Sequence, residues 1–320
     1  MIDTVGGQIG ADQLGRVLMH EHLFVLSPEF LADYPDHEGF VPTTHVARAI
    51  EELTALKANG IDSIVDLTVI NLGRNLECIR QVAEAVAVNV IVASGLYTNN
   101  ELPPFIAVRR KLLGEDPLVE MFVKDIREGI GASGIKAGIL KCATDKPGLT
   151  PDVERVLRAV AEAHRETGVP ISTHTDPQTR RGVDQLDVFE SEGVDLERVV
   201  IGHSGDTTDI AYLEEIVKRG AYVGMDRFGL EAPVTTSQRI DTVVELCRRG
   251  HAGKVVLSHD AASFNDHVPP AFLKLHPNYH YQFIPTVIVP SLLERGVAPD
   301  DIDEMLVNNP KRILAATSEA

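Results

Sequence analysis

The sequence predicts an α/β fold, and more specifically a closed (β/α)8 TIM barrel, from three observations. Eight short apolar runs rich in β-branched residues recur along the 320 residues. Amphipathic segments separate these runs, and no linker or low-complexity tract interrupts the alternation. Residues 1–320 are therefore predicted to form a single domain, a size that suits one barrel.

The apolar runs are predicted to be strands because they are short and bounded by turn residues. They span residues 16–20, 62–66, 89–93, 137–141, 169–173, 199–203, 221–225 and 254–258. Most are apolar almost throughout, which is typical of parallel strands buried on both faces of a sheet. A closed barrel accommodates eight such strands without an exposed edge. A doubly wound open sheet is the alternative, but no run is followed by a G-x-G-x-x-G pattern.

The segments between the strands carry the start and stop signals of helices. In the clearest case, Thr150 is an N-cap, Pro151 occupies the first helical position, and Gly168 ends the helix. Apolar residues recur between them at the spacing of one helical face. Each such helix is expected to pack its apolar face on the sheet.

Two further segments flank the eight strand–helix units. Residues 1–15 precede the first strand and are predicted to form an N-terminal hairpin around Gly6 and Gly7. Residues 261–281 follow the eighth strand and carry many aromatic residues and prolines. We expect them to form one long loop, which in a barrel usually faces the substrate.

The composition argues against several classes of function. Lys and Arg number 30 against 47 Asp and Glu, so the formal net charge is −17, and such an acidic surface repels nucleic acid. No run reaches the length of about 18 apolar residues that predicts a membrane span, and the first residues lack the pattern of a signal peptide. The three cysteines are scattered, as in a reducing compartment. We therefore expect a cytoplasmic protein with neither a nucleic-acid nor a membrane partner.

Polar residues stand at the ends of the predicted strands. His20 and His22 close the first strand, and residues two apart in a strand point to the same face. Four more follow in chain order: Lys141 at the end of strand four, His174 after strand five, His203 at the end of strand six and Asp260 after strand eight. We expect all of them at the carboxyl end of the barrel, where barrel enzymes hold their active sites. The set exceeds the needs of one tetrahedral zinc and so predicts a centre of two divalent metal ions.

Lys141 is the unusual member of this set, because a free ammonium is repelled by metal cations. Burial lowers the pKa of a lysine by up to about 3–5 units, which favours the neutral amine. A neutral amine reacts with carbon dioxide to give a carbamate. N6-carboxylated Lys141 would be an anionic ligand able to bridge two ions.

The other eight histidines lack this placement at strand ends. A histidine elsewhere is more often a surface or core residue, so none of the eight is expected to bind metal. They are His37, His45, His164, His251, His259, His267, His276 and His280.

Six short motifs occur along the chain in a fixed order. They are Leu18-Met-His-Glu-His22, Lys136-Ala-Gly-Ile-Leu-Lys141, Ser172-Thr-His-Thr175, Gly202-His-Ser-Gly-Asp206, Met225-Asp-Arg-Phe-Gly229 and Leu257-Ser-His-Asp260. In these motifs the chain resembles the phosphotriesterase family of the amidohydrolase superfamily, over essentially its whole length. Within that family it is most similar to the phosphotriesterase-like lactonases.

The resemblance implies two metal ions and a place for each ligand. His20, His22 and Asp260 are expected at a buried ion, His174 and His203 at a more exposed ion, and carboxylated Lys141 with a hydroxide between them. Zinc is the expected metal, with cobalt, iron or manganese as alternatives. The resemblance also implies a homodimer.

The resemblance extends to the residues around the metals. Tyr97 and Arg227 match a tyrosine and an arginine that line the site in the lactonases, and Tyr97 is a candidate donor to the oxyanion. Asp260 is expected to pass a proton to the leaving group. The group often carries a tryptophan in the loop after strand eight, whereas this chain has none and places His267 there.

The function implied is a metal-dependent hydrolase that opens lactones. N-acyl-homoserine lactones are the expected substrates, as in quorum quenching, with promiscuous hydrolysis of organophosphate triesters. One alternative is a phosphotriesterase or another carboxylester hydrolase that uses the same binuclear site. Another is a non-catalytic barrel that binds a metal or a small ligand.

Overall fold

The protein is described by a computed structural model that covers residues 1–36 and 39–315. Its main sheet is parallel and curled. Its strands pair in chain order, except that the last strand of the chain pairs with the first strand of this sheet. The eight predicted strands are all present, with helices between them, which confirms the (β/α)8 barrel. Among the described residues, no helix is long and apolar enough to cross a membrane.

The elements follow the alternation in the sequence. The strands are β1 (Ile2–Thr4), β2 (Gly7–Ile9), β3 (Val17–Val25), β4 (Ser63–Asp66), β5 (Asn89–Gly95), β6 (Ile139–Thr144), β7 (Ile171–Thr175), β8 (Val199–Ile201), β9 (Tyr222–Met225), β10 (Val255–Leu257) and β11 (Ala262–Asn265). The helices are α1 (Pro28–Asp33), α2 (Pro42–Ala58), α3 (Leu76–Ala85), α4 (Pro104–Leu113), α5 (Leu118–Arg127), α6 (Pro151–Thr167), α7 (Arg181–Ser191), α8 (Ile210–Lys218), α9 (Thr236–Arg248), α10 (Pro270–Leu275), α11 (Val289–Glu294), α12 (Pro299–Asp303) and α13 (Asn309–Leu314). Two π-helical segments, Ile284–Ile288 and Glu304–Asn308, lead into α11 and α13.

Local chemistry sets the ends of the helices, as α6 illustrates. The Thr150 hydroxyl accepts a hydrogen bond from the Val153 N–H at 3.3 Å, and Pro151 fills the first helical position. Gly168 ends the helix with φ at 71°, a left-handed conformation that glycine adopts without steric cost. These are the residues that the sequence assigned to the two ends.

The amino-terminal hairpin lies under the barrel. β1 and β2 pair antiparallel across a turn at Val5 and Gly6, and the N–H of Val5 donates to the carbonyl of Val90 at the start of β5. Ile2 belongs to the apolar cluster that fills the barrel interior. The hairpin therefore covers the end opposite the strand-end histidines.

The barrel interior is filled from every side by alternate residues of the strands. Residues from β3, β4, β5, β6, β8, β9 and β10 meet in one apolar cluster, among them Met19, Val65, Ile139 and Val256. The pairing of β3 with β4 shifts by one residue between Leu18 and Glu21. This bulge lets His20 and His22 continue into the interior just above Met19, although simple alternation would send them outward.

The segment 261–281, predicted as one long loop, is instead partly regular. It begins with β11, which pairs in parallel with β3, and it contains the short helix α10. The strand escapes prediction because Ser263 and Asn265 break its apolar pattern, and the partner strand β3 supplies its hydrogen bonds. The prediction of a loop over the whole segment is therefore wrong.

The barrel closes where β10 and β11 meet β3. The chain leaves β10, turns at Asp260, and returns alongside β3 as β11. The Asp260 N–H donates to the carbonyl of His20 at 3.0 Å, and the His22 N–H donates to the carbonyl of Ala261 at 2.9 Å. These two backbone bonds join the first and last strands of the sheet.

Glu21 holds this seam from within the protein. Its completely buried carboxylate accepts hydrogen bonds from the Ser258 hydroxyl, from the His259 N–H and Nδ1, and from the Ala261 N–H, at 2.7–3.0 Å. Since Glu21 points away from the interior, it can bind the arriving chain while the neighbouring histidines face the cavity. The Glu21 side chain thus stabilises the seam in addition to the two backbone hydrogen bonds.

We expect Glu21→Ala to lower the free energy of unfolding by about 3–5 kcal/mol, because several buried donors lose their acceptor together. Chemical denaturation of the metal-stripped protein measures this change. Glu51→Ala, at an exposed position of α2, is the matched control and should stay within about 0.5 kcal/mol. A loss below about 1 kcal/mol for Glu21→Ala would contradict its role at the seam.

Candidate metal centre

The six predicted ligands converge at the carboxyl-terminal mouth of the barrel. Together with Tyr97 and Arg227 they line one cavity of about 370 Å³. Their elements are β3 for His20 and His22, β6 for Lys141, β7 for His174, the residue two beyond β8 for His203, and the turn between β10 and β11 for Asp260. The side chains of the six predicted ligands are at most 15% exposed, and Asp260 has the largest exposed fraction.

Asp226 orients two of the histidines at once. Its Oδ2 lies 2.8 Å from His20 Nδ1, and its Oδ1 lies 3.0 Å from His203 Nδ1. A carboxylate only accepts hydrogen bonds, so both Nδ1 atoms carry the proton and both Nε2 atoms keep a free lone pair. The His203 backbone N–H also donates to Asp226 Oδ1, at 2.8 Å.

The other two histidines are oriented by separate partners. His22 Nδ1 lies 2.8 Å from the Thr68 hydroxyl, which leaves Nε2 to face Asp260. His174 uses the opposite nitrogen: its Nε2 lies 2.6 Å from Asp145 Oδ2, and its Nδ1 faces the cavity, 3.5 Å from the Tyr97 hydroxyl. A carboxylate accepts from one nitrogen each of His20, His203 and His174, so these three rings present an unprotonated nitrogen to the cluster. His22 turns its Nε2 towards Asp260.

Asp260 stands at the centre of the cluster. Its Oδ1 is 3.1 Å from His22 Nε2 and 3.4 Å from His20 Nε2, and its Oδ2 is 3.8 Å from His203 Nε2. Asp260 and His203 both have positive φ angles, 59° and 57°, which cost non-glycine residues about 1–3 kcal/mol. Such backbone is retained where the surroundings fix a side chain for function.

Lys141 is buried within hydrogen-bonding distance of the same cluster. Its Nζ lies 3.0 Å from His20 Nε2 and donates to the carbonyl of Thr173 at 3.1 Å. Burial lowers the pKa of Lys141 to about 8, although Asp260 and Asp226 act to raise it. At pH 7 such a pKa leaves about a tenth of the amine neutral, far more than in an ordinary lysine.

The protonation states suit metal binding. Burial lowers the pKa of His20 and His174 below the usual range, and it lowers that of His203 well below it, so these rings are neutral at pH 7. Burial acts to raise the pKa of Asp260, but positive charge on His203 and His20, once acid protonates those rings, and on Arg227 outweighs it and holds that pKa well below its usual range. Asp260 is therefore a carboxylate.

The donor set fits a divalent transition-metal ion. One donor atom each from His20, His22 and Asp260 lies within 4.8 Å of the others, and neutral imidazoles with a carboxylate are typical ligands of zinc and its neighbours. One donor atom each from His20, His203 and Asp226 also lies within 4.8 Å of the others. Because both Asp226 oxygens already bind Nδ1 atoms, we assign Asp226 to orienting the rings.

Arg227 pairs with acidic residues that are distant in the sequence and not with its neighbours Asp226 and Glu231. Its Nε donates to Asp260 Oδ2 at 3.0 Å, and its Nη1 donates to Asp206 Oδ2 at 2.9 Å. The guanidinium therefore covers the side of Asp260 that faces away from His22. This contact ties Arg227 to the centre of the site.

The upper cavity walls are apolar and come from loops. Leu72, Leu230, Val268 and Phe272 line the cavity, as does His267. A second cavity of about 410 Å³ adjoins it and shares the wall residues Asn265, Val268 and Tyr279. Phe264 and Pro270 line this second cavity, whereas Leu275 is 76% exposed and lines neither cavity.

Four functional neighbours are absent from the sequence-based set: Asp226, Asp145, Thr68 and Asp206. Three of them follow a strand closely, since Asp226 comes directly after β9, Asp145 directly after β6 and Thr68 two residues after β4. The strand-end criterion that selected the six ligands applies equally to these three. Asp206 carries no such signal, because only the fold brings it to Arg227.

The remaining histidines lie outside the cluster where the structure describes them. His259 binds Glu21, and His164 Nδ1 lies 2.8 Å from the carbonyl of Val169. His37 falls outside the described residues. These contacts give both buried rings a structural role.

The whole chain has known relatives. A model of the phosphotriesterase family matches residues 1–314. The chain belongs to the phosphotriesterase family. It is 50% identical to a phosphotriesterase homology protein of Mycobacterium tuberculosis over 317 residues, 98% of this chain and 97% of that protein. An aryldialkylphosphatase of Saccharolobus solfataricus is 33% identical over 310 residues, 96% of this chain and 97% of that protein.

A solved structure agrees with this membership of the phosphotriesterase family. The structure of the phosphotriesterase from Mycobacterium tuberculosis superposes with a TM-score of 0.95 at 49% identity, covering 98% of each chain. This phosphotriesterase-family chain is a metal-dependent hydrolase, which excludes the alternative of a non-catalytic barrel. The zinc identity, the carboxylation of Lys141, the lactone substrate and the homodimer stay predictions.

We expect the reconstituted protein to hold two divalent ions per chain, measured by elemental analysis. Asp226→Ala should weaken zinc binding by roughly 10- to 100-fold, because two rings lose the partner that orients them. Competition with a chromophoric chelator measures this affinity. Asp241→Ala, on the exposed face of α9, is the control and should bind normally. A single ion per chain, or unchanged affinity in Asp226→Ala, would contradict the assignment.

Proposed function

We propose that this chain is a lactonase that opens N-acyl-homoserine lactones and related lactones, with organophosphate triesters as slower substrates. The observation that carries the proposal is the position of Asp260. Its carboxylate lies between the histidine cluster and Arg227, at the base of a cavity whose upper walls are apolar. A polar reaction centre below an apolar wall suits an amphiphilic ester with one reactive carbonyl.

In this proposal the six clustered residues hold two metal ions. His20, His22 and Asp260 would hold one, His174 and His203 would hold the other, and carboxylated Lys141 would add an anionic ligand. Bound there, the ions supply Lewis-acid polarisation of the carbonyl and lower the pKa of water towards about 7. The Lys141 amine, buried beside His20 and in part neutral, supports the carboxylation.

The protein's own groups then divide the remaining work. Asp260 accepts the proton of the attacking water, since its low pKa keeps it ionised. The Tyr97 hydroxyl, 3.5 Å from His174 Nδ1, is placed to donate a hydrogen bond to the carbonyl oxygen as negative charge develops there. Arg227 fixes the orientation of Asp260 by binding its Oδ2.

The route of the proton favours a lactone over an aryl phosphotriester. Arg227 stays protonated, because Asp260 and Asp206 raise its pKa further despite its burial, so it cannot carry the proton away from Asp260. With that exit closed, the leaving group of the substrate is the acceptor that we assign to this proton. The alkoxide of an opened lactone requires that proton and stays tethered to the acyl group, whereas an aryl phosphate releases a stable phenolate without it.

The loops supply room for an acyl chain. Of the residues that suggest an apolar groove in the sequence, Phe272 and Tyr279 line the metal cavity, and Phe264 and Pro270 line the cavity beside it. Each methylene buried along these walls contributes about 0.8 kcal/mol to binding. The second candidate, a phosphotriesterase, is favoured by the similarity to the aryldialkylphosphatase of Saccharolobus solfataricus.

We expect Lys141→Ala to lose nearly all activity, because the anionic bridge between the ions is gone. Short carboxylic acids added to the variant should restore part of the activity by filling the gap with an anion. Lys136→Ala, five residues earlier and outside the site, should keep full activity. Rescue by short amines but not by acids would show that Lys141 acts as a cation or a base.

We expect lactones to be hydrolysed with a kcat/KM about 100-fold above that of aryl phosphotriesters, which corresponds to about 2.7 kcal/mol in transition-state stabilisation. Steady-state kinetics on a series of N-acyl-homoserine lactones and one aryl phosphotriester, at equal metal loading, measure this ratio. Tyr97→Phe should lower kcat for the lactones by roughly 100- to 1,000-fold, as loss of an oxyanion donor does. A preference for the triester would instead establish the phosphotriesterase alternative.

A further inference from the structure

Arg239 is a charged residue buried outside the metal cluster. It lies on α9, and its exposed fraction is 0%. Burying a guanidinium costs several kcal/mol unless its hydrogen bonds are satisfied, and an apolar residue of similar volume is often equally stabilising. Its contacts therefore indicate what the charge does.

The Arg239 guanidinium joins two parts of the active-site wall. Its Nη2 donates to Asp206 Oδ1 at 2.6 Å. Its Nη1 donates to the carbonyl of Val234 at 2.6 Å and to the carbonyl of Leu230. Leu230 lines the cavity, and residues 226–235 form the loop that also carries Arg227. One side chain thus holds this loop and the acidic partner of Arg227.

Asp206 extends this contact to the reaction centre. Its two oxygens are divided between Arg239 and Arg227, and its side chain is 4% exposed. The resulting series Arg239, Asp206, Arg227 and Asp260 alternates in charge, so every neighbouring pair attracts. Arg227 is held at Nε and at Nη1 and cannot turn away from Asp260 while Asp206 stays in place.

We propose that Arg239 is a positioning residue for hydrolysis, which fixes Arg227 through Asp206 and fixes the cavity-lining loop 226–235 through its carbonyls. The proposal rests on Arg227 and Asp260 acting in the site as proposed above. Arg239 itself touches no reacting atom. The part of its effect that passes through Asp206 should therefore not add to the loss of Arg227, whereas the part that passes through the loop should.

The test is a double-mutant cycle that combines Arg239→Met with Arg227→Ala. It uses the full chain at equal metal content and the best substrate of the panel above. Arg239→Met alone should lower kcat/KM by roughly 10- to 100-fold, as a small misplacement of a site does. It should also raise KM, because the loop lines the cavity, whereas a smaller folded fraction would lower apparent kcat alone. In the Arg227→Ala background, the effect of Arg239→Met on kcat should shrink to no more than about twofold. The rise in KM that comes from the loop should remain.

Arg239→Lys provides a second form of the cycle, and it is used if the methionine variant does not fold. Lysine keeps the charge but lacks the fork that binds Asp206 and the carbonyls together, so the same coupling is expected. Arg198→Met is the matched control: Arg198 is 5% exposed and donates to the carbonyl of Ala315, beside the start of β8 and away from the cavity. It should lower the thermal midpoint without coupling to Arg227→Ala.

Two results would overturn the proposal, and they differ. If the effects of Arg239→Met and Arg227→Ala on kcat multiply independently, Arg239 supports the fold alone, and the proposed function is untouched. If Arg227→Ala keeps full activity, the role of Arg227 in the proposed function falls together with the role of Arg239.

Discussion

Closure of the barrel beside β3 is the constraint on which the rest of the site depends. Glu21 accepts hydrogen bonds from three residues of the chain that arrives from β10, and the histidines on either side of it face the cavity. Residues 20–22 thus bind the chain that follows β10 on one side, through Glu21, and contribute to the histidine cluster on the other. Asp260 keeps its left-handed backbone because the residues around it are held at this seam.

The cluster is ordered by hydrogen bonds that lie behind the histidines. Each of the four rings uses one nitrogen to bind an oxygen of the surrounding barrel, and this leaves the other nitrogen directed at Asp260 or the cavity. Burial keeps three of these rings neutral. The geometry and the protonation state that a metal ion requires are therefore properties of the folded chain.

The sequence predicts the parts of this arrangement that depend on regular alternation. Eight strands, their order and the strand-end position of all six ligands follow from apolar runs and from polar residues at their ends. The bulge near Leu18 and the strand β11 do not follow, because both depend on pairing with a strand distant in the sequence. Arg227 illustrates the same limit: its partners Asp206 and Asp260 are 21 and 33 residues away, whereas adjacent acidic residues offered the simpler pairing.

The ligands and the cavity walls stand on different parts of the chain. Strand ends and the turn after β10 carry the ligands, whereas Leu230, His267 and Phe272 belong to connecting segments. Loops tolerate insertion and exchange far better than the strands of a closed barrel. Changes in the loops can therefore alter which substrates enter the cavity without disturbing the ligands at the strand ends. In evolutionary terms, this separation allows related enzymes with different substrates to keep one reaction centre. New substrate ranges can then arise by mutation of the loops alone.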